Sequence, residues 1–164
     1  MGERKNKGEW SEIYAFAWVL LHGKIPLADS ALMPLPDKDL LVKRVIRSDG
    51  LDRETFQPVR ISEILIPDEE WLADLLPKFL AEIRLGSKSF ESRYGSEIMA
   101  AFGLTKVKAA SGEKIDMQLE LVSSDGVEME LTGFSIKSQL GSPSTLLNAS
   151  GHTICVFDFG GASC

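Results

Sequence analysis

The segment Lys114–Ser150, KIDMQLELVSSDGVEMELTGFSIKSQLGSPSTLLNAS, restricts the possible folds of this chain more than any other. Asp125-Gly126 stands between two alternating apolar and polar runs, a strong short-range hairpin signal because both central residues of a type I′ turn take positive φ. A two-residue loop there sets Ser124 against Val127 and, further down the ladder, Asp116 against Ser135. Lys137 then shares their face, one side-chain period on. A slip of two residues keeps that shared face, and a slip of one destroys it. The expectation is a carboxylate, a hydroxyl and an ammonium on one side of a hairpin. Geometry alone leaves a plain alternative for Asp116 and Lys137, a solvated cross-strand ion pair contributing under about 1 kcal/mol.

The chain around this hairpin has 164 residues, enough for one domain with a real core. With 44% hydrophobic and 26% charged residues it has the composition of an ordinary globular protein. A net charge of −6 argues against non-specific nucleic-acid binding, which needs a basic surface, so any DNA contact requires local positive charge. The longest apolar run, Ala15 to Leu21, is too short to cross a bilayer and lacks the flanks of a signal peptide. Cys155 and Cys164 are too few and too terminal for a disulfide framework, which fits a reducing cytoplasm.

Taken in order, Met1 to Gly8 reads as a mobile basic tail. Trp10, Ile13, Tyr14, Ala17, Trp18 and Leu21 have helical spacing and predict a buried helix over Glu9–His22, with Glu9 and Glu12 near its positive end and Ser11 as the cap of a shorter version. Ile25–Met33 and Leu40–Arg47 read as strands around a Pro34-Leu35-Pro36-Asp37 turn, with Ser48-Asp49-Gly50 closing the second. Phe56–Ile66 is a further strand candidate. Pro67-Asp68-Glu69-Glu70 opens a helix that stops near Gly86 and is expected to kink or divide at Pro77. A linker over Ser87–Gly95 leads to a helix over Ser96–Phe102, capped by Ser96 and stopped by Gly103. Thr105–Ala109 brings Lys106 and Lys108 on a short strand or arm, and Thr153–Phe159 reads as a final strand. Arg44, Arg47, Arg53 and Arg60 are candidate phosphate contacts or simply solvated surface charges. His22 and His152 have no partners at metal-ligand spacing and read as structural.

A carboxylate on one strand and a lysine on its neighbour can set a divalent cation beside a cationic activator, as in the PD-(D/E)xK nucleases. That pattern has an acid two residues before the lysine, and here Ser135 stands there. KGEWSEIYAF (Lys7–Phe16) and GFSIKSQLGSPSTLLNAS (Gly133–Ser150) resemble the HpaII family of type II restriction endonucleases. The resemblance covers essentially the whole chain. It implies a single nuclease-like domain over residues 1–164, the N-terminal portion of a longer enzyme, with a scaffold over 1–104 and the catalytic hairpin and following strand over 105–159. It also implies an α/β (α+β) fold, a central mixed sheet flanked by helices.

The activity implied is Mg²⁺-dependent hydrolysis of double-stranded DNA at CCGG-type sites, by a cytoplasmic enzyme, with a homodimer as one assembly and a cytosine methyltransferase as functional counterpart. Residue by residue, Asp116 is similar to the metal-binding aspartate and Lys137 to the lysine, with Ser135 in the place of the usual acid. The Ile136 carbonyl is a further metal ligand, and Glu12 is the candidate second acid with Glu9 in reserve. Gln139 continues the face of Ser135 and Lys137, and Ser138 and Asn148 are candidate phosphate donors, Asn148 equally a turn cap. A function of a different class is a truncated, inactive remnant that serves as a DNA-binding or protein-interaction module.

Overall fold

The computed structural model describes residues 4–31, 33–49, 52–58, 69–104, 115–138 and 140. The first helix, α1 (Lys7–His22), is buried on nearly every side, with Trp10, Ile13, Ala17, Val19 and Leu20 at 0% exposure. It starts two residues before Glu9 because Asn6 caps it. Asn6 Oδ1 accepts from Glu9 N and Glu9 Oε2 accepts from Asn6 N, both at 2.9 Å, a reciprocal capping box. Ser11 therefore lies inside the helix and is not its cap. Gly23, at φ +61°, ends α1 and donates to Val19 O at 2.8 Å, as the left-handed closing position requires.

Residues Arg4–Lys7, expected within a mobile tail, are instead tied to the fold. β1 (Lys5–Asn6) pairs antiparallel with β5 (Ser89–Phe90), and Lys5 is only 4% exposed, its ammonium 5.7 Å from the Trp10 ring centroid. Arg4 and Lys7 donate to Ser89 O and Arg84 O.

Helix α2 (Glu69–Leu85) runs unbroken through Pro77 and buries Leu72, Leu75, Leu76, Phe79 and Ile83. Pro77 and Ala73 both lie on its exposed side, so the carbonyl deprived of a partner can bond water, and no division into two helices results. Helix α3 (Arg93–Ala101) is capped by Ser92, whose hydroxyl accepts from Gly95 N at 2.8 Å and donates to Glu82 of α2. This corrects the expected start at Ser96, whose hydroxyl instead bonds back to Ser92 O at 2.7 Å. The tertiary partner Glu82, which also accepts from Tyr94 N at 3.4 Å, sets the boundary.

Helix α3 meets α1 and α2 closely at Gly95. A Cβ there would stand 2.5 Å from Trp10 Cζ3 and 2.8 Å from Phe79 Cε2. Gly95→Ala is therefore expected to destabilise the protein by about 1–3 kcal/mol through overpacking, against the helix propensity that favours alanine. Urea unfolding measures it, and a gain in stability would show that the rings yield.

The sheet contains β2 (Lys24–Ala28), β3 (Pro34–Asp49), β4 (Asp52–Phe56), β6 (Met117–Val122) and β7 (Thr132–Phe134). β2 and β4 pair with opposite halves of the long β3, β6 pairs with β3, and β7 pairs with β6. Every pairing among the described residues is antiparallel, and the expected strand over Thr153–Phe159 lies outside them. Strand β4 begins earlier than the candidate over Phe56–Ile66, most of which is also outside.

The β2–β3 turn lies at Asp29–Met33. Asp29 Oδ1 accepts from Ala31 N (2.8 Å) and Met33 N (2.9 Å), and Asp29 N donates to Met33 O. The Pro34–Asp37 segment, expected as the turn, starts β3, where a proline's missing donor is tolerated.

Within its pairing with β6, the alternation along β3 is broken at Lys43. Val42 pairs with Leu121 but Arg44 with Glu120, so Lys43 is an extra residue and the inward positions change from Leu40 and Val42 to Val45 and Arg47. Helix α1 packs on this inward face, α2 and α3 pack against α1, and one core joins the three helices and the sheet. Among the described residues, no helix is long and apolar enough to cross a membrane.

Candidate active site

The hairpin tip differs from a two-residue loop. Ser123 O accepts from Gly126 N at 2.9 Å and Ser123 N donates to Val127 O at 3.0 Å, which leaves Ser124, Asp125 and Gly126 as the loop, Gly126 at φ +85°. The Ser123 hydroxyl bonds Asp125 Oδ1 and holds that carboxyl below the usual range. Near the tip Val122 pairs with Glu128, whereas farther down Leu119 pairs with Thr132, so the second arm uses one residue more than the first. The longer loop shifts the register by one, and this bulge shifts it back. At the far end Met117 faces Phe134, and the next position sets Asp116 against Ser135.

There the ladder stops and a side chain continues it. Asp116 N donates to Phe134 O at 2.8 Å, while Asp116 Oδ2 accepts from Ile136 N at 2.5 Å and from Ser135 Oγ at 3.4 Å. Oδ1 accepts no hydrogen bond from any described residue. From Phe134 to Ser138 the side chains alternate between inward and exposed, so Ser135 and Lys137 share the open side. Among the described residues no ion pair joins Asp116 to Lys137, so the cross-strand pair is not formed.

Helix α1 reaches the same segment from within. Ser11, 2% exposed, lies with its Oγ 2.9 Å from Ser138 Oγ and 2.7 Å from Lys7 O. The half-buried Glu12 follows Ser11 directly, so the helix turn that carries it abuts the segment that carries Lys137. Glu9 is engaged in the capping box. Ser138 spends its hydroxyl on Ser11 and on Leu140 N at 3.2 Å. Gln139, Lys106, Lys108 and Asn148 lie outside the described residues, as do Arg60, His152 and both cysteines.

Sequence reasoning missed Ser11 as a contact. Its signal was available, a serine hydroxyl on the second turn of a helix that is otherwise buried among apolar residues.

Nearer the hairpin tip, exposed charges of the sheet are paired. Arg44 pairs with Glu120 at 2.7 Å, and Lys43 pairs with Glu128, which it holds below the ordinary carboxylate range. Arg47 is buried, its guanidinium 5.7 Å from the Phe16 ring centroid, which removes it from the candidate phosphate contacts. Among the described residues no three His, Cys, Asp or Glu side chains are grouped to hold a metal. A set of Asp116, Glu12 and the Ile136 carbonyl has two carboxylates and does not depend on such a group.

Among the described residues, three helices packed with an antiparallel sheet make an α+β architecture, consistent with a nuclease-like fold. A sequence model of the HpaII restriction endonuclease family matches residues 6–163, and the chain belongs to that family. It is 31% identical over 165 aligned residues to the type II restriction enzyme HpaII of Haemophilus parainfluenzae, an alignment covering 93% of this chain. The chain spans 45% of that relative's length. No solved structure matches.

Proposed function

We propose that the chain carries the catalytic portion of a type II restriction endonuclease that hydrolyses phosphodiester bonds of double-stranded DNA, with Mg²⁺, at CCGG-type sites. The observation that carries this is the Asp116 carboxylate, pinned by Ile136 N through one oxygen and open at the other, beside Ser135 at the strand end that leads to Lys137. The donor chemistry fits a hard cation, because Asp116 Oδ1, Glu12 and the Ile136 carbonyl are all oxygen ligands of the kind Mg²⁺ takes together with water. A cation held by these residues would supply Lewis-acid polarisation of the scissile phosphate and acidify a nearby water.

The protein's own groups supply the rest. Asp116 keeps its orientation through the Ile136 amide on Oδ2, which would leave Oδ1 available to hold a cation. Ser135 is exposed and adds a hydroxyl to the rim, a weaker ligand than the acid it replaces. Lys137, also exposed, offers an ammonium to the charge that develops on the phosphate oxygens. The attacking water's proton passes to solvent. In a cell, a cytosine methyltransferase would protect the host's sites without touching this protein, and a homodimer would let two such sites cut both strands.

Incubating the full chain with plasmid DNA and Mg²⁺ tests the proposal. Cleavage is expected, reduced about 10²–10³-fold in Lys137→Ala, the size of removing one preorganised charge-stabilising group. Undiminished cleavage by that variant would remove Lys137 from the site. No cleavage with any divalent cation would leave the non-catalytic remnant as the better description.

A further inference from the structure

We propose that Ser11 and Ser138 form a part-buried hydroxyl strut that positions Lys137 and Glu12 relative to one another, Ser11 acting as a positioning residue for the reaction; this rests on the endonuclease function proposed above. Beyond Phe134 the segment that bears Lys137 has left the sheet ladder, so strand pairing no longer fixes it. Two side-chain anchors replace the ladder, one on each side of Lys137. The residue before it, Ile136, is held by its amide on Asp116 Oδ2 at 2.5 Å. The residue after it, Ser138, is held by Ser11 Oγ at 2.9 Å.

Each anchor also touches a metal-ligand candidate. Asp116 is itself the first, and Ser11 is bonded in sequence to Glu12. The hydrogen-bond chain is directional. The single proton of Ser11 goes to Lys7 O at 2.7 Å, so the Ser138 proton bridges the two hydroxyls, and Ser138 accepts in turn from Leu140 N at 3.2 Å. Ser138 is thereby tied to a helix whose position is set by the whole core.

Alanine at either position separates positioning from folding. Ser11→Ala is expected to keep α1 intact, because alanine is the better helix former and a helix-interior serine that bonds back to the preceding turn adds little. Catalysis, in contrast, responds to small displacements of a positioned group. In the full chain, Ser11→Ala and Ser138→Ala are each expected to lower kcat about ten- to hundred-fold, with KM for plasmid DNA and Tm little changed. The double variant should lose no more than either single one, since both remove the same bond. Ser138→Thr, which keeps the hydroxyl, should restore kcat.

Amide hydrogen exchange supplies a readout independent of cleavage, and protection at Ile136 to Ser138 should fall in Ser11→Ala. Wild-type cleavage with kcat unchanged in both alanine variants, or double-variant losses that multiply, would overturn the strut while leaving the endonuclease function standing. If the wild-type chain cleaves nothing, the endonuclease function fails. Exchange at Ile136 to Ser138 then decides the strut alone, and unchanged protection in Ser11→Ala overturns it.

Discussion

Asp116→Asn is expected to abolish measurable cleavage while leaving the fold unchanged. The amide oxygen can still accept from Ile136 N, so the strand end keeps its shape, but the negative charge and the open carboxylate oxygen are lost. Lewis-acid stabilisation by a bound cation contributes several kcal/mol to such reactions, which corresponds to about 10³-fold or more in rate. Asp116→Ala removes the ligand and the acceptor together. It should lose cleavage to the same extent and, in addition, about 1–2 kcal/mol of stability through the unsatisfied, part-buried Ile136 amide. Plasmid cleavage and urea unfolding of the two variants separate these roles. Cleavage by Asp116→Asn within tenfold of wild type would remove Asp116 from the proposed metal site.

Trp10→Ala is expected to have the largest effect on stability, about 3–5 kcal/mol. Trp10 is fully buried, meets Phe79 edge-on with ring centroids 5.9 Å apart, and donates from Nε1 to Phe90 O at 3.1 Å. Its ring therefore joins α1, α2 and the β5 strand, besides standing under Lys5. For a domain of this size the loss corresponds to a fall in Tm of about 10 °C or more. Trp10→Phe keeps an aromatic ring but leaves Phe90 O without its donor, and should cost about 1–2 kcal/mol. Thermal unfolding followed by near-UV circular dichroism reads both. An alanine variant within about 1 kcal/mol of wild type would mean that neighbouring rings fill the space.

How much of the fold could be read in advance depended on how local the cause was. Helix α1 was legible because its apolar residues repeat with helical period, and α2 because its glutamates and its apolar face agree. Where a distant group decides, the sequence reading shifted by a few residues. Ser92 outcompeted Ser96 as the α3 cap because Glu82 reaches it from another helix. Asp29 closed the first hairpin before the prolines could. The Arg4–Lys7 segment looked like a charged tail, yet Lys5 finds a buried place over Trp10.

The candidate site had the same division. Its hairpin register came out as the Asp125-Gly126 count implies, although the loop is one residue longer and a bulge one residue longer compensates. A single uncompensated shift would have turned Asp116 and Ser135 to opposite faces. The proximity of α1 to the lysine-bearing segment rests on the Ser11–Ser138 contact, between residues far apart in the chain, and no periodicity encodes it.

By itself, then, the sequence determined the three helices, the hairpin at Asp125-Gly126, the family to which the chain belongs, and which polar groups share a strand end, because helical and strand periods and turn residues act over a few neighbouring positions. Only the tertiary structure decided that a carboxylate replaces the ladder beyond Phe134, that Arg47 lies in the core, and that two serines join α1 to the segment bearing Lys137. Each of these is settled by packing between segments distant in sequence, where burial forces a polar group to find whichever partner the fold brings within reach.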